Sequence, residues 1–399
     1  MDLLNKLGYE LYRSNPSMTD AYAKEAMVLS ERIGYRQGEA KSHKLFGIAN
    51  AAIGKYYESM EHFNTAREIF TELDDSKGIA GTFTNIGVVY SDQSRLDLAL
   101  DHHLKALSIY EEIDDRNLIA HSLNCIGVVF RKRNDLEKAE YYYQKALEIR
   151  EETGDMRGLA FSYNNMGILA KERGNLESAL NYYSKSLELK EELDDRQGKA
   201  IAYSNIGDIH MKLKEYTLSL ECYRKSLSIE KELCDEKNLS DNYNKMGHIM
   251  TLVGEYEEAL EYFKRGLTIS TRIGARIFKA DSLRELSDLY KAMNDYEKAF
   301  TYFKEYSILQ QEIFSEKSSE TITRLQVRHE TEQKEKEAEL YYLKNVELQK
   351  EINDRKLVEN QLVVQEHLLE KRVKDRTIEL QQSMQKLKNS VEGTIHTLS

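Results

Sequence analysis

Histidines, cysteines and paired carboxylates are the residues of this chain that could do chemistry, and their spacing limits what that chemistry could be. His102 and His103 are neighbours, so on a helix they point to different faces and do not share a metal. His210 and His248 could approach one another between repeats, but no carboxylate pair accompanies them to complete a site. "RHETEQ", Arg328 to Gln333, sets His329 before an acid in the order of a phosphoacceptor, yet "KEKEAEL" after it lacks what such a helix needs. The doubled acids Asp74-Asp75, Asp114-Asp115 and Asp194-Asp195 return at one point of a repeating period, which marks them as helix caps and solvated charge. Cys125, Cys222 and Cys234 lack Cys-x-x-Cys spacing, so they form neither a disulfide framework nor a zinc site, and reduced, mostly buried thiols are expected. "GKYYES" and "GNLESA" have neither the spacing nor the Lys-Ser/Thr end of a phosphate loop, and no His-Glu-x-x-His occurs. The chain is therefore read as a non-enzyme, with no catalytic residue, no cofactor and no metal.

The elements that would position any binding residues are helices. Of 399 residues one is proline, Pro16, none is tryptophan and 31% are charged, the make-up of an all-α protein. The formal net charge of -11 is spread along the chain, with no basic face for nucleic acid. "MDLLNKLGYELYRSNPSMTD" is not a leader, and no apolar run approaches the length of a membrane span, so a cytoplasmic protein is expected.

The organisation is a repeat. Gly47, Gly87, Gly127, Gly167, Gly207 and Gly247 recur every 40 residues, each after a large apolar residue. Ser287 continues the series, and Gly8 opens it one residue out of phase, which gives eight units. A second series of small residues, Ala99, Ala139, Ala179, Ser219, Ala259 and Ala299, then Ala66, Ala106, Ala146, Ser186, Ser226 and Gly266, lets two helices approach closely. Phe63, Tyr143, Tyr183, Tyr223, Phe263 and Phe303 share the face of those small residues. Each unit is thus an antiparallel helix pair, and Asp75, Asp115, Asp155 and Asp195 fall where they would cap the next helix.

The pattern of apolar-Gly in a first helix and Ala, aromatic, Ala in a second resembles the tetratricopeptide repeat of the longer class, over Met1 to Phe314. The family's first-helix Trp is replaced by Phe83, Leu123, Tyr163, Tyr203 and Tyr243, and its closing Pro is absent. The resemblance implies a right-handed superhelical solenoid over 1–314 with the first helices lining its concave side. On those helices Asn124, Asn164 and Asn244 form one polar spoke, and Asn85, Asn165 and Asn205 form the next. Such Asn ladders imply a protein or peptide ligand in the concave groove, bonded through its backbone. The same amides could instead bond across neighbouring helices and orient the stack. One turn further along, Val88, Val128, Ile168, Asp208 and His248 pass from apolar to polar beside Arg131 and Lys171, which suits a ligand with an apolar and a charged part.

Beyond Phe314 the composition changes: residues 315–392 hold no Gly and no Pro. A continuous helix there would reach about 120 Å and needs a partner. Val373, Thr377, Leu380, Met384, Leu387, Val391, Thr394 and Leu398 alternate steps of four and three, a heptad seam, with a stutter at Leu369, Val373 and Thr377. A coiled-coil homodimer is expected from about residue 340 onward, its seam including Val373, Leu380, Met384, Leu387, Val391 and Leu398. "LEKRVKDRTIEL" resembles the bacterial signalling linker that precedes histidine kinase, diguanylate cyclase and cyclic di-GMP phosphodiesterase domains, and "KNSVEGTIHTLS" resembles the helix that leads into an HD-GYP domain. The resemblance implies a linker over 369–399 and an output domain beyond Ser399, with no catalytic residue to carry over. The function expected is a sensory and dimerisation module of a bacterial signalling protein. A free-standing scaffold or adaptor is the alternative.

Overall fold

A computed structural model describes residues 1–12 and 16–397; the side chains of 10, 16–17, 316–343, 345–346, 352, 354, 357–361, 363–364, 366 and 387–397 lie outside the description. All regular structure among the described residues is helical. The helices are α1 (Asp2–Leu11), α2 (Pro16–Ile33), α3 (Arg36–Ala52), α4 (Tyr56–Glu72), α5 (Ser76–Asp92), α6 (Leu96–Glu112), α7 (Arg116–Lys132) and α8 (Leu136–Thr153). They continue as α9 (Met156–Glu172), α10 (Leu176–Glu192), α11 (Arg196–Lys212), α12 (Tyr216–Leu233), α13 (Glu236–Val253), α14 (Tyr256–Arg272), α15 (Arg276–Ala292) and α16 (Tyr296–Thr397). Odd and even helices pair in a tandem helix-turn-helix solenoid. Two compact units result, Met1–Gln310 and Gln311–Ser399.

The punctuation of the first unit is local chemistry. From Gly34 to Asn294 every twentieth residue is left-handed, with φ between 48° and 89°. Glycine takes this at six of the fourteen positions, among them Gly174 (φ 80°) and Gly254 (φ 89°); Asp, Asn, Ser, Lys and Cys bear it at the other eight. In the doubled acids the two aspartates therefore have different tasks. Asp74, Asp114 and Asp194 make the left-handed turn, while Asp75, Asp115 and Asp195 accept the amides of Gly78, Leu118 and Gly198 at 2.8, 3.2 and 2.9 Å. Asp155 caps α9 in the same way, through Gly158.

Packing explains the glycines of the repeat. A Cβ on Gly127, Gly167 or Gly207 would lie 2.6 to 2.7 Å from ring carbons of Tyr143, Tyr183 or Tyr223, and these rings are 0% exposed. Gly47 and Gly247 meet Phe63 and Phe263 likewise, and Gly87 meets His103. The last pair is the exception that the geometry allows: Ser287 replaces Gly where its partner ring, Phe303, is 53% exposed. Where serine replaces the small Ala of a second helix, its hydroxyl finds a carbonyl across the joint. Ser219 donates to Gly207 O, Ser186 to Ala160 O and Ser226 to Ala200 O, each at 2.7 Å.

The first helices touch one another directly, α1 with α3, α3 with α5, α5 with α7, α7 with α9 and α13 with α15, whereas the second helices pack chiefly against first helices. A stack whose odd helices crowd together curves with them on the inside, so they line the concave face.

The second unit is helical to Thr397 among its described residues. Leu362, Leu369 and Val373, with Gln365, Glu370 and Lys374, line one shallow groove along it, and Leu380 and Met384 are exposed too. Of the seam residues, Leu387, Val391 and Leu398 fall outside the described side chains, as does His329. No helix among the described residues is long and apolar enough to cross a membrane.

Candidate functional site

The two asparagine spokes are bonded to each other. Asn165 Nδ2 donates to Asn124 Oδ1 at 2.9 Å and Asn205 Nδ2 to Asn164 Oδ1 at 3.0 Å, each across one repeat plus one residue. Lys245 continues the series by donating to Ser204 Oγ at 3.0 Å. Each amide pair uses one donor and one acceptor, so the rotamers are fixed while an N–H and a carbonyl lone pair of each pair stay available. Asn85, half-buried, makes no such bond.

Asn244 does not belong to this surface: it is 6% exposed, accepting from Ser282 Oγ at 2.9 Å. The cause lies opposite. Gly266 stands where earlier units have Ala or Ser, and a Cβ there would lie 2.5 Å from Asn244 Oδ1, so the amide fills the space that glycine leaves.

The charged residues are paired along the same face. Arg131 Nη1 meets Glu172 at 2.7 Å. Lys171 meets Asp208 at 3.5 Å, and Lys245 lies 3.0 Å from both Asp208 and Asp241. Burial alone would lower the Lys245 pKa, but Asp208 and Asp241 outweigh it and the pKa is raised. His248 Nδ1 sits 3.0 Å from Glu285, whose hydrogen bond raises the imidazole pKa; His210 pairs separately with Glu215 at 2.6 Å. The two histidines thus have different partners. Glu172, Asp241 and Glu285 were not singled out from the sequence, although opposite charges 41 residues apart for Glu172, 37 for Glu285 and one helical turn apart for Asp241 carry the signal.

Beneath this row the core tyrosines differ. Tyr223 OH donates to Asp208 at 2.9 Å. The equivalent hydroxyl of Tyr183 is buried without a partner, because the residue in the place of Asp208 is Ile168. Tyr183→Phe should therefore stabilise the chain by about 1 kcal/mol and Tyr223→Phe destabilise it by about 2 kcal/mol. Urea melts of the two variants check this, and a shift of the same sign in both would contradict it.

The cysteines depart from the expectation of mostly buried thiols. Cys125 and Cys222 are half-buried, and Cys234 is exposed because it occupies a left-handed turn position, at φ 54°. Among the described residues no group of three or more His, Cys, Asp or Glu is placed to hold a metal.

This architecture defines a class. The profile of the tetratricopeptide repeat family matches residues 38–112, 78–152, 118–192, 198–272 and 238–307, and the chain belongs to that family. Particular likenesses follow among solved structures. The apo form of the quorum sensor NprR from B. thuringiensis is 16% identical, with 77% of this chain and 86% of that one covered and a TM-score of 0.56. The Rap conjugation gene regulator of the plasmid pLS20, in complex with the Phr* peptide, is 15% identical over 71% of this chain and 77% of that one, at 0.55. A signal transduction ATPase with a tetratricopeptide repeat sensor from Pyrococcus horikoshii is 14% identical over 79% of this chain and 49% of its own, at 0.59. At these identities the likeness is one of fold. No curated protein sequence matches the chain.

Proposed function

We propose that the concave face of the first unit binds an extended peptide or a protein segment, without catalysis, as the input of a sensor. The observation that carries this is the set of locked amides, Asn124 with Asn165 and Asn164 with Asn205, each pair presenting a spare donor and acceptor in line along the inner helices. Side chains already held by one another lose little freedom on binding, which favours recognition of a peptide backbone. Half-buried Arg131, Lys171 and Asp208 beside them provide charge selectivity, with His248 towards the end of the row and Val88, Val128 and Ile168 as the apolar end. Peptide binding by the pLS20 regulator, on the same fold, supports the reading.

The second unit extends it. The exposed strip of Leu362, Leu369, Val373, Leu380 and Met384 would pair with that of a second copy in a coiled coil, and the linker resemblance of Leu369 to Leu380 supports transmission to a bacterial output domain, cyclic di-GMP phosphodiesterase being the first candidate. Ligand binding that changed the pitch of the stack would alter the register of the paired helices.

The test is panning of the full-length chain against a library of twelve-residue peptides, with light scattering on the same sample. The expected result is peptide enrichment, a loss of affinity of about tenfold in the double variant Asn165→Ala, Asn205→Ala, and a dimer that Leu369→Glu with Val373→Glu dissociates. Peptides that bind the double variant equally well would sink the groove assignment. A monomer far above micromolar concentration would sink the coiled coil.

A further inference from the structure

One cysteine is set apart from the other two by its surroundings. Cys125 stands on α7 in the spoke of Asn85 and Asn165, half-buried on the concave side. His121, one turn earlier on the same helix, places Nε2 3.8 Å from Cys125 Sγ. A buried arginine lies nearby on α8. Arg150 is 3% exposed; its Nη1 donates to Gly158 O at 2.9 Å and to Ser162 Oγ at 2.6 Å, but its Nε has no hydrogen-bond acceptor, with Asp155 Oδ2 4.0 Å off. Its charge lowers the thiol pKa and also that of the imidazole, so it favours the thiolate and opposes the imidazolium, but Cys125 itself raises the imidazole pKa more strongly. The other titratable groups that face the pair are His103 and Tyr110 from α6, Tyr143 from α8 and Asp155 at the start of α9; burial keeps His103 neutral, and both tyrosines stay protonated, pushed up to about 12 mainly by burial.

We propose that Cys125 reacts as a thiolate paired with the His121 imidazolium, and that it is a modification site for hydroperoxides in the concave groove. In the step, the thiolate attacks one oxygen of hydrogen peroxide. An S–O bond forms, the O–O bond breaks, and the departing hydroxide takes the proton of the His121 imidazolium to leave as water. The product is a sulfenic acid and a neutral imidazole, and the peroxide is the oxidant that is reduced. Burial alone would raise the thiol pKa, but His121 outweighs it and the pKa is lowered, whereas burial raises that of Cys222. A cationic, partly accessible pocket is the setting in which thiols react. The new oxygen would stand in the spoke of Asn85 and Asn165. Its effect on a ligand rests on the peptide-binding reading, but the reactivity does not.

The experiment exposes the full-length chain to substoichiometric hydrogen peroxide at pH 7, traps sulfenic acid with dimedone and quantifies the three cysteine peptides by mass spectrometry. Cys125 should be labelled about tenfold faster than the more exposed Cys234, and His121→Gln should slow Cys125 by about tenfold, a tenfold change being one pKa unit of thiolate. His121 is exposed, so this variant keeps the fold, and circular dichroism checks that it does. Labelling of Cys234 at the rate of Cys125 or faster overturns the proposal, and so does a rate for Cys125 unchanged in His121→Gln. Because no peptide is present, failure here leaves the groove reading standing, and failure of the peptide panning leaves this one standing.

Discussion

Gly167→Val is expected to lower stability by about 3 kcal/mol or more and to open the joint between α9 and α10. Its new Cβ would lie 2.6 Å from Tyr183 Cε1 and 2.7 Å from Cδ1, and the ring, 0% exposed, has nowhere to retreat. The strain falls on one pair. Because each repeat leans only on its neighbours, the defect should split the array rather than melt it evenly. Hydrogen exchange read peptide by peptide should show α9 and α10 losing protection while α3 to α6 keep theirs. The last pair is the control: Ser287→Ala gives up its bond to Ala299 O, 2.9 Å long, at a cost of about 1 kcal/mol and with no steric clash. Unchanged protection over α9 and α10 in Gly167→Val would show that the glycine contact does not hold the joint.

Acidification should unfold the chain from its early repeats, and His103→Phe should blunt the effect. His103 is 1% exposed against Gly87, and burial, helped by His121 and His102, holds its pKa down to about 3. His102, against the rings of Phe83 and Tyr90, is lowered to about 4, again chiefly by burial. Both imidazoles are neutral in the folded chain at pH 7. As pH falls through 6.5 the unfolded chain binds protons there that the folded chain does not, so stability declines from 6.5 down to about 4 for His102 and about 3 for His103. For His103 the loss reaches about 2 kcal/mol at pH 5. Phenylalanine fits its place, as Phe63 and Phe263 do in other pairs, and removes an Nδ1 that has no partner. The variant should match or exceed the parent at pH 7 and lose less between pH 7 and 5. Parallel slopes of midpoint against pH would exclude His103 as a source of the acid limb.

The recurrence of Gly47 to Gly247, the Ala series and the capping aspartates were legible because each depends on the residue's own chemistry and on neighbours three or four positions away. The amides were harder. Asn124, Asn164, Asn165 and Asn205 read equally well as ligand-binding groups or as ties between helices, and the structure makes them ties that keep a donor and an acceptor spare. Asn244 read like the others and is buried, because a glycine 22 residues further on removes the methyl that would have kept it out. The partners Glu172, Asp208 and Glu285 are offset by one residue more or three fewer than a repeat, which counting in steps of the repeat passes over.

The sequence by itself determined that this chain is a stack of paired helices and which face of each helix is buried, because burial repeats with the period of the helix and of the unit. The tertiary structure alone decided which polar side chains meet. That depends on the rotation of each pair against the next, and a few ångströms there separate an amide open to a ligand from one bonded to its neighbour.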